Sequence, residues 1–177
     1  MNFPSPEDFN LSDKFILDAC CGAKYMWDDK NHPNAIYIDN RKGKEKITNR
    51  GEININPNIV MDFRKMEFPN NRFKLVVFDP PHMFCGHTGN FGKTYGSLNK
   101  DTWQEDIKKG FNECWRVLEN YGILIFKWNE YNISYKEVLA IINKEPLFKQ
   151  TMSGAGKSKT YWFCFMKIPK LVGEKLR

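Results

Sequence analysis

Along this chain a short apolar run rich in Ile, Val or Phe ends in or beside an aspartate, and the pattern occurs four times. The runs are residues 15–19 around Asp18, 35–38 closing on Asp39, 59–61 closing on Asp62, and 75–78 closing on Asp79. Short apolar runs of this length bounded by polar turns read as buried parallel strands. The carboxylates then fall at the carboxyl ends of the strands, where open α/β sheets collect their ligands. Residues 101–119 carry a helical period instead. Trp103, Ile107, Phe111, Cys114 or Trp115, and Leu118 recur at three- and four-residue steps. Asp101 suits the N-cap, Glu105 and Asp106 the early turns, and Asn120-Tyr121-Gly122 the stop. A fifth strand follows at 123–127. Ser134 and Glu137 have capping-box spacing for a helix running to about Asn143. Residues 147–152 and 160–168 predict a hairpin around a loop at 153–159. Residues 40–58 show no helical period and much charge, which predicts an irregular, lid-like loop with at most a short strand.

The order of elements predicts an α/β fold: a mostly parallel, Rossmann-like sheet with a C-terminal antiparallel hairpin and helices on both faces. The 177 residues fit one domain, with its core over about 15–168. No repeat, low-complexity segment or linker divides it.

Composition narrows the class. A hydrophobic content of 41% excludes a disordered chain, and no apolar stretch approaches the ~18–20 residues of a membrane span. Residues 1–13 are polar, contain Pro4 and Pro6, and lack the pattern of a signal peptide, so the expected location is the cytoplasm. Cys20, Cys21, Cys85, Cys114 and Cys164 read as reduced thiols. His82, Cys85 and His87 are close in sequence, but no C-x2-C pair accompanies them and no metal is expected. The net charge is +6. Arg41, Lys42, Lys44, Lys46 and Arg50 cluster against Glu45 alone, and Lys157, Lys159, Lys167 and Lys170 form a second group. These clusters fit a polyanionic partner or ordinary solvated loops. An aromatic content of 15% leans toward base stacking.

Asp79-Pro80-Pro81-His82 carries the chemistry. Each proline locks φ, removes an N–H and pushes the preceding residue into extended conformation. Asp79 is thereby held beyond the strand end and followed by free carbonyls, an arrangement that accepts from an amino group. Asp39 stands where a carboxylate after the second strand accepts from ribose hydroxyls. The turn Asp18-Ala19-Cys20-Cys21-Gly22-Ala23 is small but is not G-x-G-x-x-G, which disfavours a dinucleotide. Asp62 and Phe63 suit an adenine. An adenosine without a diphosphate points to S-adenosylmethionine (SAM).

The run 15–22, Asp39, Asp62 and Asp79-Pro80-Pro81-His82, in that order, resemble the successive motifs of a class I SAM-dependent methyltransferase. The last resembles the Asp-Pro-Pro-aromatic motif of enzymes that methylate base amines, in a small form of phage and mobile-element type. Two positions depart from the pattern: Cys20-Cys21 replaces glycines, and His82 replaces Tyr, Phe or Trp. The resemblance implies SAM as cofactor, with Asp18, Cys20 and Gly22 near its methionine part, Asp39 at the ribose, and Asp62 and Phe63 at the adenine. It implies that Asp79, Pro80, Pro81 and His82 form the catalytic turn, Asp79 and the Pro80 carbonyl accepting from the amine and His82 contacting the base. A base in a duplex must first be flipped out.

Phe84 and His87, in the glycine-rich run 83–96, are expected in a mobile substrate loop, and Lys127 and Asn129 after the fifth strand are expected to touch substrate. Trp128 fits the core or the site equally. His32 is expected to be inert, and Trp103, Trp115 and Trp162 to be core. Residues 154–158 faintly resemble a phosphate loop without its spacing, and a contact to backbone phosphates is all they suggest. The expected function is methyl transfer to an exocyclic amine of a nucleic-acid base, adenine N6 of DNA before RNA or a cytosine or guanine amine. The alternative is a catalytically impaired SAM-binding subunit. No separate target-recognition domain is recognisable, so a protein partner is expected to supply recognition.

Overall fold

The computed structural model describes residues 6, 10–48, 51–153 and 158–169. Its elements are β1 (Ile16–Asp18), β2 (Ala35–Asp39), β3 (Gly43–Ile47), β4 (Gly51–Ile55), β5 (Ile59–Val60), β6 (Phe73–Phe78), α1 (Asn90–Tyr95), α2 (Trp103–Val117), β7 (Leu118–Asn129), α3 (Tyr135–Ile142), β8 (Phe148–Ser153) and β9 (Lys159–Met166). Seven strands form one sheet in the order β5-β2-β1-β6-β7-β9-β8. The pairs from β5 to β7 are parallel, and β9 runs antiparallel to both β7 and β8. This is the α/β sheet with a C-terminal antiparallel hairpin that the apolar runs predict. The chain order reverses at β1 and β6, and that switch point opens a crevice at the carboxyl edge.

The sheet's period-two alternation divides its side chains between two faces. Leu17, Ile36, Ile38, Val76, Phe78, Leu124, Phe126 and Trp128 join one core with Ile107, Phe111, Cys114 and Val117 of α2 and Val138 and Ile142 of α3. These helix positions recur at steps of three and four, and each large apolar side chain so buried contributes about 1.5–3 kcal/mol. Gly110 lies on the same stripe. A methyl group there meets Phe63 at 2.5 Å and Phe78 at 2.8 Å. Gly110→Ala is expected to cost about 1–3 kcal/mol through overpacking, read as a lower urea midpoint with unchanged m.

On the opposite face Cys21, Ala35 and Tyr37 pack with Ile16 and Trp27. The cover at β1 and β2 is the connection 19–34, which contains no helix, so the second helical layer expected from the alternation is replaced here by irregular chain. Gly22, Pro33 and the polar stretch 28–31 give that segment no helical stripe. Local bonds shape it instead: Asn31 N–H donates to Asp29 Oδ1 (2.9 Å), and Asn34 Nδ2 donates to the Asp13 carbonyl (2.9 Å).

Two further boundaries differ from the pattern. Within 40–58, where a lid-like loop is expected, Gly43–Ile47 and Gly51–Ile55 pair as the antiparallel strands β3 and β4, packed over Ile47, Ile53 and Ile55. Asn90 anchors the hairpin to α1, accepting from the Thr48 N–H (3.1 Å) and donating to the Thr48 carbonyl (3.3 Å). At the other end of the sheet, α2 stops at Val117 and β7 begins at Leu118, before the expected turn at 120–122. Tyr121, at φ +63°, is absorbed into the strand because its N–H donates to the Lys167 carbonyl (2.7 Å). The capping box of α3 forms as its spacing predicts, and Asn143 ends the helix in left-handed conformation. Among the described residues no helix is long and apolar enough to cross a membrane.

Candidate active site at the carboxyl edge of the sheet

Each parallel strand delivers its aspartate as the period requires. Asp18 and Asp39 are the last residues of β1 and β2, Asp79 follows β6, and Asp62 comes two residues after β5. A cavity of about 630 Å³ opens beside them, within the range of small-molecule sites. One wall is the turn Cys20–Ala23, and another is Asp79, Pro80 and His82. Lys127, Asn129, Asn132, Ser158 and Thr160 line it from the β7–β9 side. Phe84, Phe91, Tyr95, Tyr25 and Tyr131 stand around it, the last four of them exposed.

The catalytic turn predicted from sequence is thus brought against the glycine turn. Pro81 lies behind the surface, its Cγ 2.8 Å from where a side chain on Gly96 would begin. Of the other expected residues, Cys20, Gly22, Phe84, Lys127 and Asn129 line the cavity, while Asp18, Asp39, Asp62, Phe63 and His87 do not. His87 is exposed on the segment that packs against Gly92 of α1. Phe63 packs edge-on to Phe78 in the core, at 5.3 Å between ring centres. Trp128 is fully buried and donates to the Ile133 carbonyl (3.0 Å). His32 serves its own turn, its Nδ1 accepting from the Asn34 N–H (3.2 Å). Trp103 and Trp115 pack against the core, while Trp162 is half-buried beneath Lys127, whose Nζ lies 5.4 Å from its ring.

Three of the four carboxylates are held by a cation from the same chain. Asp79 Oδ2 accepts from Lys127 Nζ at 2.6 Å, a bond between strand ends that β6–β7 pairing makes neighbours. Asp39 accepts from Arg41 Nε (3.0 Å) and Nη2 (3.2 Å) and from the backbone N–H groups of Arg41 (2.9 Å) and Gly22 (2.9 Å). Asp62 repeats the local pattern with Arg64, whose other nitrogen reaches Asp106. The shared Asp-x-Arg spacing after β2 and β5 is visible in the sequence as Asp39-Asn40-Arg41 and Asp62-Phe63-Arg64, and it is the signal by which Arg41 could have been found.

Asp18 differs, having no cation paired with it among the described residues. It accepts from Trp27 Nε1 (2.7 Å) and the Cys20 N–H (3.3 Å). Burial raises its pKa to about 7 against those two bonds, with Asp79 and Asp39 adding to the rise. Burial likewise pushes the Cys20 and Cys21 thiols well up and keeps them protonated. His82 is pushed below its ordinary value, chiefly by burial, and is neutral at pH 7. Its Nδ1 is buried without a hydrogen-bond partner, and its ring stands edge-on to Trp128 at 6.2 Å. A buried ring nitrogen without a partner among the described residues is costly. No group of three or more His, Cys, Asp or Glu among the described residues could hold a metal. Lys157, Arg50 and Lys170 of the basic clusters, and residues 154–157 of the loop resembling a phosphate site, lie outside the described residues, as do 1–5 and 7–9 of the N-terminal stretch.

The fold has counterparts among solved structures. A SAM-dependent methyltransferase from Methanosarcina mazei superposes with a TM-score of 0.55 at 11% identity, over 94% of this chain and 99% of that one. A Pyrococcus horikoshii protein gives 0.53 at 13%, over 86% and 81%. A SAM-dependent methyltransferase from Leishmania major gives 0.51 at 13%, over 84% of this chain and 63% of that one. The fold is that of the SAM-dependent methyltransferases. No protein-family model matches the chain, and no curated protein matches its sequence. On this methyltransferase fold, the Cys20–Ala23 turn and the Asp79 turn face one cavity from adjacent strands.

Proposed function

We propose that this chain transfers a methyl group from SAM to an exocyclic amine of a nucleic-acid base, adenine N6 of DNA first and RNA or a cytosine or guanine amine second. The observation that carries the reading is that the Asp-Pro-Pro turn after β6 and the Cys20–Ala23 turn after β1 face one cavity from adjacent parallel strands.

The residues fit the cofactor. Gly22, at φ +50°, keeps the β1 turn low: a side chain there would meet only the Thr94 carbonyl at 3.8 Å and Arg41 at 4.0 Å, so that space is free for a ligand. Cys20 and Gly22 would hold the methionine part, with Asp18 behind them, and Asp39 the ribose. Asp62, paired with Arg64, and Phe63, partly buried against the core, would stand on the adenine side. SAM, when bound, supplies an electrophilic methyl group.

The chain's own residues supply acceptors and position. An exocyclic amine is a poor nucleophile because its lone pair is delocalised into the ring. Asp79 and the Pro80 carbonyl accept its two N–H bonds; the prolines bring no backbone N–H to compete, and the base amine shares Asp79 with Lys127 or displaces it from Oδ2. This draws the nitrogen toward tetrahedral geometry, and the fixed acceptors stabilise the positive charge it develops. His82, which lines the cavity and whose pKa burial lowers, stacks on the base or bonds to its edge. Tyr25, Phe91, Tyr95 and Tyr131 at the mouth offer stacking surfaces to a base. Target recognition is assigned to a protein partner.

Calorimetry tests the cofactor: SAM and S-adenosylhomocysteine are expected to bind and NAD not to, and absence of SAM binding overturns the reading. Transfer of labelled methyl to DNA, tRNA and rRNA then tests the acceptor. One observation favours a second reading, a SAM-binding subunit impaired in catalysis. Asp79 and Asp39 are both held by internal cations. Binding of SAM without transfer to any of the three nucleic acids is its expected signature.

A further inference from the structure

The geometry points to Arg41 as an internal plug of the cofactor site, competing with the ribose for Asp39. The inference rests on the assignment of Asp39 to the ribose. The Asp39 side chain is 4% exposed and receives four N–H bonds, two from the Arg41 side chain and two from backbone. A carboxylate offers about four acceptor positions, so none is left for a pair of ribose hydroxyls. Arg41 also lines the cavity itself. Its guanidinium spans from Asp39 to the far wall, where Nη1 donates to the Lys93 carbonyl of α1 (3.1 Å). Its carbon lies 4.0 Å from the side-chain position of Gly96, just past the end of that helix.

Arg41 is thus a strut between the β2 end and α1, across the space a nucleoside must enter. Binding proceeds by exchange: the two hydroxyls replace Nε and Nη2 on Asp39, and the guanidinium swings off. The backbone N–H groups of Gly22 and Arg41 stay on the carboxylate in both states, so Asp39 keeps two donors whichever partner it holds. Loss of the strut also frees α1, which is joined to β3–β4 by the Asn90–Thr48 pair and by Lys93 Nζ on the Lys46 carbonyl (3.4 Å). Cofactor binding and the seating of the β3–β4 hairpin are therefore coupled through one side chain. A site open for only a fraction of the time binds more weakly by that fraction.

The test is calorimetry of wild type, Arg41→Gln and Arg41→Lys with SAM and with 5′-methylthioadenosine, which keeps the ribose and lacks the carboxylate. Arg41→Gln is expected to tighten both ligands by about tenfold, which corresponds to a plug in place about nine-tenths of the time. Arg41→Lys, which keeps the charge and loses the fork, is expected to fall between. Unchanged or weaker binding of either ligand in Arg41→Gln overturns the plug. Weakening confined to SAM also overturns it, by making Arg41 a ligand of the cofactor's carboxylate. If wild type binds neither ligand and Arg41→Gln binds both, the plug stands while the reading of the wild-type chain as a working methyltransferase falls. If no variant binds either ligand, the cofactor assignment fails and the plug with it.

Discussion

Asp79→Ala is expected to lower methyl transfer to a base amine by about a hundred- to a thousandfold, with SAM affinity nearly unchanged. The magnitude is that of removing one preorganised electrostatic partner from a transition state. Affinity is spared because the cofactor assignment rests on the Cys20–Ala23 turn and Asp39. One side effect has to be separated from the main one. Without Asp79, Lys127 is left with its ammonium about one-quarter exposed beside Trp162 and without its counter-ion. A free cation at the amine position repels the positive charge developing there. The double variant Asp79→Ala with Lys127→Met removes that cation. If the double variant recovers most of the rate, the loss came from the liberated lysine; if it remains as slow as the single one, the lost acceptor is the cause. Label transferred at the wild-type rate by Asp79→Ala removes the mechanism altogether.

Asp18→Asn is expected to become progressively more stable relative to wild type as pH rises from about 4 to about 7, and to hold that advantage above. In the folded state burial raises the Asp18 pKa from 3.8 to about 7. A group raised on folding contributes stability that is fully present below its unfolded pKa and is lost as pH climbs through its folded value. Wild type therefore spends free energy on ionising a buried carboxylate at neutral pH, up to about 4 kcal/mol at 1.36 kcal/mol per pKa unit. Asparagine carries no charge and escapes that loss. It has one acceptor where aspartate has two, so it must give up either the Trp27 or the Cys20 bond. That penalty is the same at every pH and shifts the whole curve without changing its slope. The measurement is the difference in urea unfolding free energy between variant and wild type at intervals across this range. A difference that does not change with pH sinks the assignment of a raised Asp18 pKa.

Both effects concern strand-end aspartates that are adjacent in the pattern and unlike in their surroundings. Asp79 has a cation and partial exposure, whereas among the described residues Asp18 has neither. Nothing in the apolar runs separates them, because a run ending in Asp reads alike in each case. What separates them is tertiary surroundings. Both strands are internal to the sheet, but Asp18 is the last residue of β1, closed in by the connection that supplies Trp27 and Cys20, whereas Asp79 lies past the end of β6. β6 lies beside β7, whose Lys127 reaches across the pair.

Much of the scaffold was legible because it follows from periodicity. Strand runs, the stripe of α2 and the Ser134–Glu137 cap are short-range patterns, and each formed near its expected bounds. The misplaced features have short-range signals that long-range contacts overrode. Tyr121 and Gly122 carry the residues of a helix stop, yet pairing with Lys167 draws them into β7. Charge at 40–48 suggests a loop, yet Ile47, Ile53 and Ile55 suffice for a ribbon.

By itself the sequence determined the order of strands, the presence of four carboxylates at one edge, and the stiff Asp-Pro-Pro turn, since strand period and proline geometry act over a few residues. Only the tertiary structure decided which carboxylate meets which partner. Lys127 stands 48 residues from Asp79, and Lys93 stands 52 from Arg41. Contacts over such separations depend on sheet pairing and on the seating of α1, and no local pattern encodes them. They decide how each carboxylate is paired and solvated, and so how the candidate site binds.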